Sequence, residues 1–406
     1  MVGFRNLSLL FIAMIVIMTS CKHKVEHPNP WGDTTTDEVA PDTAFSLDDI
    51  ISNGELIMVT VSGPDTYYEY HGRGMGLHYL LCEKFCQSLG VSLRVDVCKD
   101  TLDMVQRIED GEADVMAMPM KENIDGLAQC GEKASAKKWH WLVNKSNTKL
   151  AEAIDKWLTA DQIKKVNEEQ TYWLSSRSIT RHVYSPMLNR SAGIISNYDH
   201  LFQRYAPVAQ WDWKLLAAQC YQESTFDPNA RSWAGAGGLM QIMPGTADEL
   251  GLPRSEIYNP ESNVSAATRY IAQLTKRFSD IPTPSERIKF VLASYNGGAH
   301  HVRDAMALAK KNGQSPYAWG NVRGYILKLA QPQYYNDPVV KYGYMRGSET
   351  ADYVDRIWSR WFEYRGMKVS GKHSPSASSS SAASSSSGMM APQPHPSAHR
   401  KAKYNI

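Results

Sequence analysis

The spacing of apolar residues changes once along this chain, and that change restricts the possible folds more than any other feature. Glu55 to Val61 is a short apolar run of strand length, after which Leu77, Leu80, Leu81, Phe85 and Leu89 recur at helical intervals. Leu93, Val95 and Val97 alternate as in a strand, Leu102, Val105 and Ile108 make a helical stripe closed by Gly111, and Ala113 to Met118 forms another strand-like run. Strands and helices alternating in this way predict a parallel sheet with right-handed crossovers. From Asn147 the period is helical, with Leu150, Ile154, Trp157 and Leu158 on one face and polar helix formers running to about Leu174. A stretch rich in Ser and Arg follows to about residue 195. Beyond it almost everything to Tyr364 has the helical period, and Asn259-Pro260 is a cap followed by proline at the first helical position. The expected fold class is α+β multidomain, with an N-terminal α/β lobe and an all-α C-terminal domain.

The ends of the 406-residue chain have a different character. Arg5, an apolar run from Leu7 to Met18 and then Thr19-Ser20-Cys21 have the layout of an export signal. The run is too short to cross roughly 30 Å of hydrocarbon as a helix. Met18-Thr19-Ser20-Cys21 resembles a bacterial lipobox, which implies lipidation of Cys21 and a membrane anchor there. The expected divisions are a signal peptide over 1–20, a polar tether over 21–48, an α/β domain over 49–176, a linker over 177–194, a helical domain over 195–366 and a disordered, basic, Ser-rich tail over 367–406. Lys and Arg total 44 against 42 acidic residues, so overall charge makes no case for nucleic acid. With Cys21 lipidated, Cys82, Cys86, Cys98, Cys130 and Cys220 remain, an odd number that leaves at least one thiol unpaired within the monomer. Cys82 and Cys86 lie four apart on an expected helix, a poor geometry for a disulfide. No Cys/His cluster has metal-site spacing, so neither a metal nor a cofactor is expected.

The segment from Trp213 to Ser224, taken as a helix, places Trp213, Leu216, Cys220 and Glu223 on one stripe. A carboxylate therefore ends an apolar face. Burial there would disfavour the charged form and raise the pKa, as a general acid working near neutral pH requires. The plainer alternative is a glutamate near a helix end whose head reaches water. Further along, Gly235, Gly237 and Gly238 supply backbone freedom that would let a sugar approach the main chain, Met240 an apolar contact and Gln241 a hydrogen-bonding one, a mixture suited to carbohydrate. Tyr295 and Asn296 sit where a helix ends at Gly297, and Tyr353 starts another helix. Taken singly, a tyrosine packed in a core with its hydroxyl satisfied is the commoner outcome.

Taken in order, Glu223-Ser224, Phe226 to Ala230, Trp233 to Pro244 and Ala293-Ser294-Tyr295-Asn296-Gly297-Gly298 resemble the motif series of the soluble lytic transglycosylase family, whose fold is helical and lysozyme-like. Tyr334-Tyr335, Lys341 to Gly347 and Glu349 to Val354 resemble the closing part of the F type of membrane-bound lytic murein transglycosylase. The resemblance covers residues 195 to 364 and implies that peptidoglycan glycan strands are the partner. It implies that Glu223 protonates the oxygen between N-acetylmuramic acid and N-acetylglucosamine, then takes a proton from the muramoyl 6-hydroxyl to close a 1,6-anhydro ring. Ser224, Met240, Gln241, Tyr295, Asn296 and Tyr353 are carried over as substrate-binding residues. Ordinary glycosidases use two carboxylates, and no second one is obvious here, since Asp227 before Pro228 suits a turn. The alternatives are a lysozyme-type hydrolase and a non-catalytic envelope lipoprotein that binds glycan or amino acids. By the same resemblance the anchored enzyme sits at the outer membrane facing the periplasm.

Residues 52 to 118, with Gly76-Leu77 opening the first helix, resemble the first lobe of periplasmic solute-binding proteins of the amino-acid type, and Trp141 to Lys145 their closing segment. In that family a second lobe lies between those pieces. Only about 22 residues separate Met118 from Trp141 here, too few for a lobe, so a single-lobe remnant is expected, acting as a docking module or a spacer.

Overall fold

The computed structural model describes residues 44–366, apart from 132, 133 and 135–137. Cys21, the expected signal, most of the tether and the Ser-rich tail lie outside the described residues. The chain divides into two compact units interleaved in sequence: residues up to Thr60 with Cys82–Ala160, and Val61–Leu81 with everything from Asp161. The expected 49–176 domain therefore gives up its 61–81 segment and its last helix to the other unit.

Numbered along the chain, the strands are β1 (Glu55–Thr60), β2 (Tyr68–Tyr70), β3 (Arg73–Met75), β4 (Ser92–Val97), β5 (Val115–Met120), β6 (Leu127–Cys130) and β7 (His140–Asn144). In the first unit a five-stranded sheet runs β4-β1-β5-β7-β6. β1 pairs parallel with β4, from Glu55 opposite Ser92 to Thr60 opposite Val97, and parallel with β5. β7 is antiparallel to both β5 and β6, so the sheet is mixed where an all-parallel one was expected. The connections after Met120 explain the reversal: they are too short for a crossover helix, whereas antiparallel neighbours need only a turn. Among the described residues that stretch supplies β6 and no second lobe.

Leu56, Met58 and Val59 are all buried, as a strand covered on both faces requires. The helix Thr101–Glu109 is capped by the Asp100 carboxylate, which accepts from Asp103 N at 3.0 Å. Its buried face is Met104 and Ile108, four apart, while Leu102 is 77% exposed; Ile108 keeps its place in the expected stripe, but Met104 takes the inner position and Leu102 points to the opposite side of the helix. Cys82, Cys86, Cys98, Cys130 and Cys220 are all buried free thiols.

The second unit is helical, with its main helices at Asp199–Ala209, Trp213–Ser224, Pro260–Arg277, Pro284–Gly297, Ala299–Lys311, Trp319–Lys328 and Gly347–Tyr364. Together the units give the expected combination of an α/β lobe and an all-α domain. One core joins Phe202, Leu216, Leu239, Ile271, Phe290, Ile326 and Ile357. The helix Trp213–Ser224 is its axis: every residue from Leu215 to Cys220 is buried, so this helix is enclosed on all sides. Asp212 caps it, accepting from Lys214 N at 3.0 Å and from Trp361 Nε1 at 2.9 Å. The expected linker is also structured. Strand β8 (Ile179–Thr180) pairs antiparallel with β9 (Arg231–Ser232) and so ties residues before the helical core to the loop beyond Glu223. No described helix is long and apolar enough to cross a membrane.

Candidate active site

Glu223 is the penultimate residue of its helix, and the chain after it turns in an uncommon way. Thr225 and Phe226 both have left-handed backbones, with φ of 54° and 65°. For side chains bearing a Cβ this costs roughly 1–2 kcal/mol per residue. Tertiary contacts hold them there. Thr225 N donates to Tyr221 O at 2.9 Å and Thr225 Oγ1 to His182 O at 2.8 Å, while the Phe226 ring is buried against Phe202 and Tyr221. Asp227 accepts from His182 N at 2.6 Å and from Asn229 N at 2.9 Å, which makes it a turn residue with both oxygens engaged. Arg181 donates to the Glu223 carbonyl at 2.9 Å, so residues 179–182 strap the helix end in place.

The glycine-rich loop passes under this end. A Cβ on Gly238, whose φ is 80°, would lie 2.4 Å from both Ile257 O and Asn263 Nδ2, and one on Gly237 2.7 Å from Ile257. Close packing against the protein's own chain therefore demands these glycines, in place of the sugar approach expected. Asn263, which sequence reasoning passed over, organises the loop: Nδ2 donates to Gly237 O and Ile257 O, and Oδ1 accepts from Met240 N at 2.8 Å. Gln241, at φ 47°, spends its amide Nε2 on Ala230 O and Gly238 O, each at 3.0 Å. Met240 is only 1% exposed; it gives the core its side chain and offers its carbonyl to the Tyr295 hydroxyl at 2.8 Å. Ser224 is buried with Oγ donating to Cys220 O. Neither side chain is placed to meet a ligand directly, contrary to expectation. Asn296 accepts from Thr350 Oγ1 at 2.7 Å.

Tyr353 reaches across from the helix Gly347–Tyr364 and donates to Glu223 Oε1 at 2.5 Å, while its oxygen accepts from Gln219 Nε2 at 3.1 Å. Burial pushes the Glu223 carboxyl up to about 7; the Tyr353 hydrogen bond and the charges of His71 and Arg181 favour ionisation, and Glu349 opposes it. The hydroxyls of Tyr295 and Tyr353 are raised well above the ordinary tyrosine value, by burial first and then by the Glu223 charge. Glu349 stands one helical turn before Tyr353. Its oxygens are taken by Tyr70 Oη at 2.6 Å and His71 Nε2 at 3.2 Å. Burial works against its ionised form, yet these bonds and the Arg346 charge hold it below the usual glutamate value. Glu349 opens the Glu349 to Val354 string without having been assigned a role, whereas His71 and Arg181 carry no local signal that would have marked them for this site.

An acid raised toward neutrality at a helix end and held by Tyr353, beside the loop that the Tyr295 hydroxyl engages, is suited to give and take a proton near neutral pH. Residues 200–318 match the family profile described as the transglycosylase SLT domain, so the helical unit carries a domain of that class. The chain is similar to the membrane-bound lytic murein transglycosylase F of Desulfosudis oleivorans, 42% identical over 157 residues that make up 39% of this chain and 34% of that protein. It is also similar to the protein of that name from Serratia proteamaculans, 26% identical over 414 aligned positions covering 77% of this chain and 84% of that one. The chain thus spans about a third of the first relative's length and most of the second's. The second alignment is longer than the chain itself, so that relative has residues with no counterpart here. Among solved structures, domain 1 from TmArgBP in its arginine-bound form is similar over 28% of this chain and 98% of its own, with 20% identity and a TM-score of 0.26.

Proposed function

We propose that this chain is a peptidoglycan lytic transglycosylase, a carbon–oxygen lyase, in which Glu223 serves as both acid and base. The observation that carries the reading is a sheltered carboxyl with a pKa of about 7, one oxygen of which is held by Tyr353. In the first step the protonated carboxyl gives its proton to the oxygen linking N-acetylmuramic acid to N-acetylglucosamine; the C1–O bond breaks and the glucosamine end leaves with a new 4-hydroxyl. In the second the carboxylate takes the proton of the muramoyl 6-hydroxyl as O6 bonds to C1. No water is consumed, and the acid is regenerated.

An inverting hydrolase needs a second carboxylate to activate water, and a retaining one needs it as nucleophile. Asp227 and Glu349 are the nearby candidates, and both have their oxygens engaged by protein donors, which favours the lyase over a lysozyme-type hydrolase. Tyr295, Asn296, Gln241 and Tyr353 shape the site around Glu223. The lipobox-like Met18-Thr19-Ser20-Cys21 supports a lipoprotein anchored at Cys21, and the likeness to relatives named as membrane-bound supports attachment to a membrane of the cell envelope, for which the reading adopts the outer membrane facing the periplasm. Mass spectrometry of fragments released from purified sacculi is expected to show 1,6-anhydromuramoyl ends. Ordinary reducing ends would establish a hydrolase instead.

A further inference from the structure

Residues 61–81 precede the helical domain by more than a hundred positions in sequence and yet fold as part of it. Strands β2 and β3 form a hairpin whose two turn residues, His71 and Gly72, both have left-handed backbones, with φ of 49° and 68°. Such turns prefer Asn-Gly or Gly-Gly, and an imidazole at the first position is conformationally costly. The hairpin is nonetheless firmly seated. The Tyr70 ring stacks on Trp233 at 6.3 Å, Trp233 stacks on Trp173 at 4.9 Å, and the Arg73 guanidinium caps Trp173 at 4.8 Å. Tyr68 packs edge-on against Tyr344 at 5.0 Å. A Cβ on Gly72 would come within 3.8 Å of Met243, just past the glycine loop, so the tip lies beside the segment that carries Gln241.

His71 is fixed relative to Glu223 through one short chain of contacts. Its Nε2 meets Glu349, Glu349 also accepts from Tyr70, and Glu349 is four residues before Tyr353, which holds Glu223. Residues four apart share a helix face with Cβ atoms about 5–6 Å apart. The imidazole is 31% exposed, and its Nδ1 has no protein partner among the described residues. A strained position, a buttressed ring and an unused polar atom beside the acid are together hard to explain by packing alone.

We infer that His71 is a glycan-binding residue of the Glu223 cleft, hydrogen-bonding through Nδ1 to a hydroxyl or acetamido group of the strand. The identity of this ligand rests on the lyase reading above; the existence of the contact does not.

His71→Gly is the informative variant, because glycine suits the turn and so offsets the loss of the imidazole's contact with Glu349. Its melting temperature should stay close to that of the wild type, since relief of the left-handed backbone and loss of the Glu349 contact act in opposite directions. On sacculi its KM should rise about tenfold with kcat within about twofold, the signature of a lost binding contact. Sacculus binding by His71→Gly/Glu223→Gln should be weaker than by Glu223→Gln alone by a similar factor, and the defect should persist on strands stripped of their peptides. Unchanged KM and binding, or a defect accompanied by a lower melting temperature, would overturn the inference. A defect confined to peptide-bearing strands would overturn the glycan assignment. Should the wild type release no anhydro product, the proposed function fails, while the binding comparison still decides the role of His71.

Discussion

With its carboxyl raised to about 7, Glu223 reaches near neutral pH both the protonated form that the first step requires and the ionised form that the second uses. The same shift ties the residue to stability. An ordinary glutamate, as in the unfolded chain, titrates near 4.5, and the folded one near 7. Below about 4.5 both states are protonated and the wild type suffers no penalty. Between 4.5 and 7 the unfolded chain ionises while the folded one keeps its proton, so stability falls as pH rises, and above 7 the full cost remains. Glu223→Gln cannot ionise. Relative to wild type it is expected to gain on the order of 3 kcal/mol between pH 4 and pH 8 in urea unfolding, while cleavage falls by at least about a hundredfold. A constant stability difference across that range would mean that Glu223 is solvated and its acidity ordinary.

Among the elements, the glycine loop and the strap over residues 179–182 determine where Glu223 and its tyrosines meet. The loop is held by Asn263 on one side and passes its position to Tyr295 through the Met240 carbonyl. Gly238→Ala would combine a disfavoured backbone with a Cβ too close to Ile257 O and Asn263 Nδ2. The expected result is destabilisation by more than about 1 kcal/mol together with reduced turnover, read from thermal melting and sacculus digestion. A fully stable, fully active variant would show that the loop can move without disturbing the site. The helices were largely legible from their period and, at Asn259-Pro260, from a cap. The strap was not, because its Ser- and Arg-rich composition looks like any solvated linker, and its role arises from bonds to residues some forty positions away.

For the whole molecule, the interleaving of the two units means that a domain boundary drawn from sequence cuts through the helical unit. A fragment starting at residue 195 lacks the bonds that Arg181 and His182 make to the end of the Glu223 helix, and the Tyr70–Trp233–Trp173 stack. At about 1 kcal/mol for each lost hydrogen bond, its unfolding transition should lie several degrees below that of the same unit in the full chain by calorimetry. Equal transitions would show that the strap and hairpin are incidental to stability.

What the amino-acid order determined by itself was everything set by near neighbours: the strand and helix periods, the caps, the ordered motifs, and a glutamate at the end of an apolar helix. Steric and hydrogen-bonding preferences within one or two turns produce those signals. Only the tertiary structure decided the direction of β7, the burial of Ser224 and Met240, the reason for the loop glycines and the approach of His71 to Glu349 across 278 residues. Those outcomes depend on which distant surfaces exclude water together, and no local pattern of residues records that.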